Sequence, residues 1–169
     1  MSRTVPVGFR GCSMWAWDVS LGILLAQTVQ VGEEALAAEP ENPWLAPTLV
    51  ELRRHALLGA HAYLDLDLDL NDSQREQLLG MVSEASRRLR QRDAVTRAEI
   101  EGWRIVDDQK LPWRSPIEAL DTQPIADLGQ ALIDLVRGDL PPAPAGTLWY
   151  FGVEDGPRTI PPVGRGSVG

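Results

Sequence analysis

The chain has 169 residues, and its 24 acidic side chains outnumber the 16 basic ones, which gives a formal net charge of -8. This length supports one domain with its own core, and the negative charge excludes a general nucleic-acid-binding protein because it repels polyanions. Every basic residue except Lys110 is arginine, which indicates a GC-rich bacterial coding sequence. Cys12 is the only cysteine, so we expect a buried structural thiol in a cytoplasmic protein without disulfides.

The first 38 residues look like a secretory leader only in outline. Arginines precede the apolar residues 21–26, but glutamines and glutamates interrupt the pattern before the small residues 35–37. We therefore expect no signal peptide, and the apolar stretch is too short to cross a membrane. Apolar residues at helical spacing instead predict a first helix over residues 19–38.

A second helix is predicted over residues 48–64. Pro40 and Pro43 separate it from the first helix, and Thr48 with Glu51 forms a capping box. At about 100° per residue, one strip of this helix places both histidines of the chain among carboxylates. Such a strip suits a small-molecule or enzyme cleft, although a solvated helix face is the simpler interpretation. The strip consists of Glu51, Arg54, His55, His61 and Asp65.

An aspartate-rich segment follows at residues 65–76. Its oxygen-bearing side chains match the ligand spacing of an EF-hand calcium loop, but Leu70 stands where that loop needs glycine. The sequence therefore favours a helix start at Asn71 or Asp72, with a capping box from Ser73 to Glu76, over a metal site. Metal binding is kept as a minor hypothesis, in which the ligands are Asp65, Asp67, Asp69, Ser73 and Glu76.

Four further helices are predicted in the second half of the chain. Apolar periodicity indicates one over residues 73–92, and the Thr96–Glu99 capping box starts another that fades near residue 107. A proline in the first turn predicts a short helix over 115–120. The last helix, over 123–137, has a well-defined end because a glycine and then prolines follow it.

The C-terminal region begins with a proline-rich spacer, residues 141–146, and continues with a predicted strand, turn and returning strand over 147–160. We expect this arm to pack across the helices and expect residues 161–169 to be disordered. Aromatic residues cluster in the arm and just before the first helix, and exposed aromatic residues often mark partner-binding surfaces. The candidate partner-binding residues are Trp15, Trp17, Trp149, Tyr150 and Phe151.

Together these patterns predict an all-α protein: a single-domain bundle of five or six helices over residues 1–140, followed by the spacer, arm and tail. No phosphate loop, dinucleotide fingerprint or nucleophile elbow is present, so catalysis is disfavoured and no cofactor is expected. The leading hypothesis is a non-enzymatic bacterial protein–protein interaction module, such as a regulator or an immunity-type inhibitor. Its expected partner is another protein or a second copy, not nucleic acid or a membrane.

Overall fold

A computed structural model of the protein describes residues 4–58, 63–106, 109–110 and 117–162. Within these residues the chain forms five α-helices and nine β-strands. The helices are α1 (Asp18–Ala38), α2 (Leu45–Leu58), α3 (Asp72–Arg90), α4 (Arg97–Gly102) and α5 (Thr122–Arg137). The strands are β1 (Thr4–Phe9), β2 (Cys12–Trp17), β3 (Leu64–Asp65), β4 (Ala94–Thr96), β5 (Arg104–Val106), β6 (Gln109–Lys110), β7 (Ala119–Asp121), β8 (Leu148–Phe151) and β9 (Arg158–Ile160).

The all-α prediction is wrong, because the protein is a mixed α/β structure built on a five-stranded sheet. The strand order is β3-β1-β2-β8-β9, and two antiparallel hairpins, β1–β2 and β8–β9, lie side by side. β2 pairs in parallel with β8, and β1 pairs in parallel with β3. The two ends of the chain therefore meet in one sheet, and the C-terminal hairpin is part of that sheet, not an arm laid over a helical bundle.

The hairpin of β1 and β2 is the element that the sequence analysis missed. Arg10 and Gly11 form a two-residue turn with φ of 46° and 88°, the backbone twist that joins antiparallel strands tightly. Side chains alternate along β1, so that Val5, Val7 and Phe9 are buried. This region carries the period-2 pattern of a strand, but its apolar content resembles that of a leader segment and of the helix that follows.

The helices form a layer around α1, which is buried along most of its length. α1 contacts α2, α3 and α5, and α5 also packs against β1, β2 and β8. Gly129 of α5 makes this packing close, because a Cβ there would lie 2.0 Å from the Ser86 hydroxyl of α3. The core is thus shared between the helix layer and the sheet, as in two-layer α/β domains.

Several helix boundaries differ from the predictions. α2 is described over Leu45–Leu58, residues 59–62 lie outside the described residues, and Leu64 lies in β3, where it pairs with β1, and not in the predicted helix. The predicted helix over 115–120 is also wrong where the structure describes it, since β7 pairs antiparallel with β4. At the start of α3 the capping box uses Asn71 and Gln74 in place of Ser73 and Glu76. The predicted start after Thr96 is confirmed, because its hydroxyl accepts the Glu99 N–H.

Two other predictions concern single features. Cys12 is exposed and not buried, because it directly follows the two-residue turn of the first hairpin. None of the helices in the described ranges is both long and apolar enough to pass through a bilayer. The end of the predicted tail, residues 163–169, lies outside the described residues.

Candidate functional site

An open groove lies between the first turns of α2 and the segment that leads into α3. It has a volume of about 480 Å³. One wall comes from the start of α2 and the residue before it, and the other comes from residues 68–70 and the first turn of α3. The lining residues are Trp44, Pro47, Thr48, Glu51, Leu68, Asp69, Leu70 and Gln74.

The groove combines apolar walls with two carboxylates. Glu51 Oε1 is bound by Arg54 and lies 3.3 Å from His55 Nε2, whereas its Oε2 has no partner within the described part of the chain. Asp69, on the opposite wall, is exposed and makes no hydrogen bond or ion pair to a described residue. Glu51 is thus paired with Arg54 through one oxygen, and Asp69 is the carboxylate of this groove whose charge no described cation balances, which favours a cationic ligand there.

His55 supports Glu51 from behind the groove. Its side chain is only 12% exposed, and burial lowers its pKa below 6.5, an effect that outweighs the opposite influence of the Glu51 carboxylate. His55 is therefore neutral at pH 7, and the positive charge beside Glu51 is that of Arg54. Thr48, which also lines the groove, donates its hydroxyl to the carbonyl oxygen of Trp44 at 2.7 Å.

The wall opposite α2 has an unusual backbone. Leu68 and Asp69 both adopt left-handed conformations, with φ of 48° and 53°. Left-handed backbone costs a non-glycine residue roughly 1 to 2 kcal/mol, so the surrounding contacts must hold this segment in place. The leucines on both sides, Leu66 and Leu70, are buried and supply part of that support.

Arg75 supplies the rest of the support from the first turns of α3. Its side chain is 7% exposed, and its guanidinium donates to Asp67 Oδ1 at 2.7 Å, Asp72 Oδ1 at 2.8 Å and the Leu70 carbonyl oxygen at 2.5 Å. Arg75 thus fastens both ends of the left-handed segment to α3. This is a charge-assisted network around a buried cation, which is the strong form of hydrogen bonding.

Asp67 also connects the same segment to the first hairpin. Arg10 reaches its carboxylate at 3.3 and 3.4 Å, and these contacts hold the pKa of Asp67 below its usual value, with Arg10 contributing most and Arg75 next. The guanidinium carbons of Arg10 and Arg75 lie 5.0 and 5.3 Å from the centre of the Phe9 ring. We call Phe9, Arg10, Asp67 and Arg75 the Phe9 cluster.

A closed apolar cavity lies on the inner side of Arg75, between α1, α2, α3 and α5. Its volume of about 20 Å³ is close to the minimum needed for one water molecule, and its lining is almost entirely aliphatic. A cavity of this size holds no larger ligand, so the open groove is the candidate site. The cavity is lined by Leu25, Thr28, Leu52, Leu66, Arg75, Leu78, Leu79, Val82, Leu132 and Val136.

The polar strip predicted along the second helix is only partly present. Glu51 lines the groove, His55 stands beside it, and Arg54 binds Glu51 from the exposed surface. Asp65 is not on this helix: it lies in β3, and its side chain accepts the N–H of Asp67. His61 lies outside the described residues. Among the described members of the strip, Glu51, Arg54 and His55 thus lie at or beside the groove, and Asp65 does not.

Two of the five predicted metal ligands, Asp67 and Glu76, are bound by arginines. Asp67 binds Arg10 and Arg75, and Glu76 binds Arg137 at 2.8 Å across the gap between α3 and α5. In the ranges that the structure describes, no group of three or more His, Cys, Asp or Glu side chains is placed to hold a metal ion. The two-residue spacing of the aspartates arises from the turn and from the alternation of buried leucines.

The two aromatic segments proposed for partner binding meet in the sheet. Trp15 is the parallel partner of Tyr150, and Trp149 and Phe151 have ring centres 5.9 Å apart. Tyr150 and Trp17 are buried, and Trp149 donates its indole N–H to the Pro141 carbonyl oxygen at 2.7 Å. Trp15 and Tyr150 therefore lie where the two hairpins pair, and the role of these aromatic residues in partner binding stays a prediction.

The sequence analysis missed most of the groove. Of its lining residues only Glu51 and Asp69 were named as site candidates, and each was assigned to a different hypothesis. Trp44 lies between two prolines at the start of α2, and this position on a connection was the available signal. Comparison with known proteins finds no matching family model, no similar curated protein and no similar solved structure.

Proposed function

We propose that this protein is a non-enzymatic interaction module that holds a basic segment of a partner protein in the groove between Trp44 and Asp69. The observation that carries the proposal is the Asp69 carboxylate, which has no partner among the described residues, opposite the free Oε2 of the Glu51–Arg54 pair, in a groove that also presents an indole ring. Carboxylates attract cations, and an aromatic face binds a cation by a further electrostatic attraction.

The charge of the whole chain supports a basic partner. A net charge of -8 steers cationic surfaces toward the protein and repels acidic ones, including a second copy of itself. The outer strands of the main sheet are also poor edges for self-pairing, since β3 has two residues and β9 is bounded by Pro157 and Pro161. Binding of a different protein, as a regulator or an inhibitor would do, is therefore favoured over a homodimer.

The chemistry of the lining residues supports binding over catalysis. The Thr48 hydroxyl donates within its own helix, the His55 imidazole is occupied with Glu51, and the Gln74 amide completes the capping box of α3. No nucleophile with an adjacent base is found among the residues that line the groove. We also propose a cytoplasmic location, supported by the single exposed thiol, which suits a reducing compartment.

The direct test is calorimetric titration of the whole protein with a short blocked basic peptide, Gly-Lys-Arg-Lys-Gly, and with its acidic counterpart, Gly-Glu-Asp-Glu-Gly. We expect the basic peptide to bind and the acidic one not to bind. Trp44→Ala should weaken binding about 2- to 30-fold, the range for a partly desolvated cation–π contact. Asp69→Asn should weaken it about 1.5- to 5-fold, as for an exposed ion pair.

Asp155→Asn is the matched control, because Asp155 is also exposed and lies in the turn between β8 and β9, away from the groove. It removes the same charge and should leave the affinity unchanged within about 1.3-fold at physiological salt, where distant charges are screened. Equal loss of affinity in Asp69→Asn and Asp155→Asn would show that the groove has no special role, and absence of binding by the basic peptide would refute the proposal.

A further inference from the structure

The Phe9 cluster shows how this chain binds a guanidinium group. In that cluster two arginines lie against one aromatic ring and share one carboxylate, with guanidinium-to-ring distances of 5.0 and 5.3 Å. A third arginine, Arg158, stands 5.5 Å from the ring centre of Tyr150. Stacking of a flat, weakly hydrated cation on an aromatic ring is therefore a repeated contact in this protein.

The groove also combines a ring with carboxylates, and the arginine that contacts it, Arg54, binds only one oxygen of Glu51. Trp44 supplies the ring, and Glu51 Oε2 and Asp69 supply carboxylate oxygens that have no partner within the described part of the chain. None of its lining residues is an arginine or a lysine. Asp69 lies only two residues after Asp67, so one short segment contributes a carboxylate to the complete cluster and another to the incomplete one.

We propose that the groove is specific for an arginine side chain of the partner, in preference to lysine. This inference rests on the proposed function and names the group that is recognised. A guanidinium presents five donors in one plane, so it can bind carboxylates on two walls while its face covers the apolar surface of Trp44 or Leu68. A lysine ammonium is a compact and strongly hydrated charge that gains less from a flat apolar wall.

The backbone of the wall formed by residues 68–70 fixes the direction from which the Asp69 carboxylate meets a ligand. Leu68 and Asp69 are held in left-handed conformations by the contacts that Arg75 makes with Asp67 and Leu70. The Asp69 carboxylate is therefore presented from a wall that is already ordered before a ligand arrives. Preorganisation of this kind reduces the cost of binding and favours ligands with fixed donor geometry over flexible ones.

The test compares four blocked pentapeptides that differ only at their central residue, which is arginine, lysine, asymmetric dimethylarginine or citrulline. Affinities for the whole protein are measured by calorimetry in the same buffer. We expect arginine to bind at least about fivefold more tightly than lysine, because only the guanidinium can both stack and bind carboxylates in its plane. Dimethylarginine should fall between them, since it keeps the charge but loses donors, and citrulline should not bind.

Two variants locate the selectivity. Trp44→Leu keeps an apolar side chain but removes the ring, and Asp69→Asn keeps the shape but removes the charge. Each should lower the ratio of arginine to lysine affinity toward one, whereas Asp155→Asn should leave that ratio unchanged. The ratio is insensitive to a general loss of folded protein, because both peptides are measured on the same preparation.

The outcomes separate the two proposals. Binding of the arginine and lysine peptides with equal affinity would overturn arginine specificity and leave the basic-segment proposal standing. Failure of every charged peptide to bind would overturn both. Preference for arginine that persists in Trp44→Leu and in Asp69→Asn would show that the selectivity arises elsewhere on the surface, and this result too would refute the inference.

Discussion

The Phe9 cluster and the groove share the short segment of residues 67–70 and use similar chemistry for different purposes. In the cluster, Asp67 is saturated by Arg10 and Arg75, and a buried guanidinium fastens the segment to α3 and to the first hairpin. In the groove, Asp69 is exposed and has no partner in the described ranges. The comparison indicates that one aspartate is used for the fold and the other is left for recognition.

The difference follows from burial. Arg75 is nearly inaccessible, and an unpaired charge in that position would be strongly unfavourable, so the fold must provide its acceptors. Asp69 is hydrated, so it can remain unpaired at little cost. The contacts of Arg75 therefore hold the segment in place, and Asp69 on its exposed side stays available to a ligand. Binding sites commonly rest on rigid supporting contacts of this kind.

The largest expected effect comes from removing the buried cation. Arg75→Met should lower the free energy of unfolding by about 2 to 4 kcal/mol, because it leaves the Leu70 carbonyl without its donor and releases the left-handed segment. Urea denaturation measures this change. Arg10→Met is the control, since Arg10 is exposed and binds the same carboxylate through longer contacts, and its effect should be much smaller. Equal losses would show that Arg75 is not the main support.

A smaller effect is expected from the histidine behind the groove. Because the pKa of His55 is below 6.5 in the folded protein, the unfolded chain binds more protons as the pH falls below about 6.5. The stability contributed by neutral His55 is therefore present above that pH and is lost as the pH falls toward its folded pKa. His55→Gln should flatten the dependence of unfolding free energy on pH between about 7 and 5.

Comparison of wild type and His55→Gln by urea denaturation at several pH values isolates this contribution, because the other titrating groups are the same in both proteins. An unchanged slope in the variant would mean that His55 is not desolvated.

The smallest expected effect concerns the strained backbone. Asp69→Gly should raise the free energy of unfolding by up to about 1 kcal/mol, because glycine accepts the left-handed conformation without a steric penalty. The same variant should bind the basic peptide less tightly, since it removes a groove carboxylate. In Asp155→Gly, where φ is not positive, the added chain entropy should instead lower stability. A stability loss in both variants would argue against strain at Asp69.

Part of the fold could be predicted because its determinants are local. The bounds of α1 and α5 are predicted to within one residue, since apolar periodicity defines both helices and Gly138, in the left-handed conformation, ends α5. The hairpin of β8 and β9 was predicted for the same reason, from turn residues between two short apolar segments. The sequence analysis misses the first hairpin even though Arg10-Gly11 is a usable turn signal, because it interprets Trp15 and Trp17 of β2 as candidate partner-binding residues.

The sequence by itself determined the bounds of α1 and α5 and the starts of α3 and α4, each to within one residue, and an aspartate-rich segment before α3. Only the tertiary structure decided that this segment has two sides, one closed by Arg75 and Phe9 and one open toward Trp44 and Glu51. The physical reason is that the Phe9 cluster and the groove are each assembled by packing between segments that are distant in sequence, whereas helix propensity and capping act over a few residues. Whether a carboxylate is saturated or free depends on neighbours that local patterns do not specify.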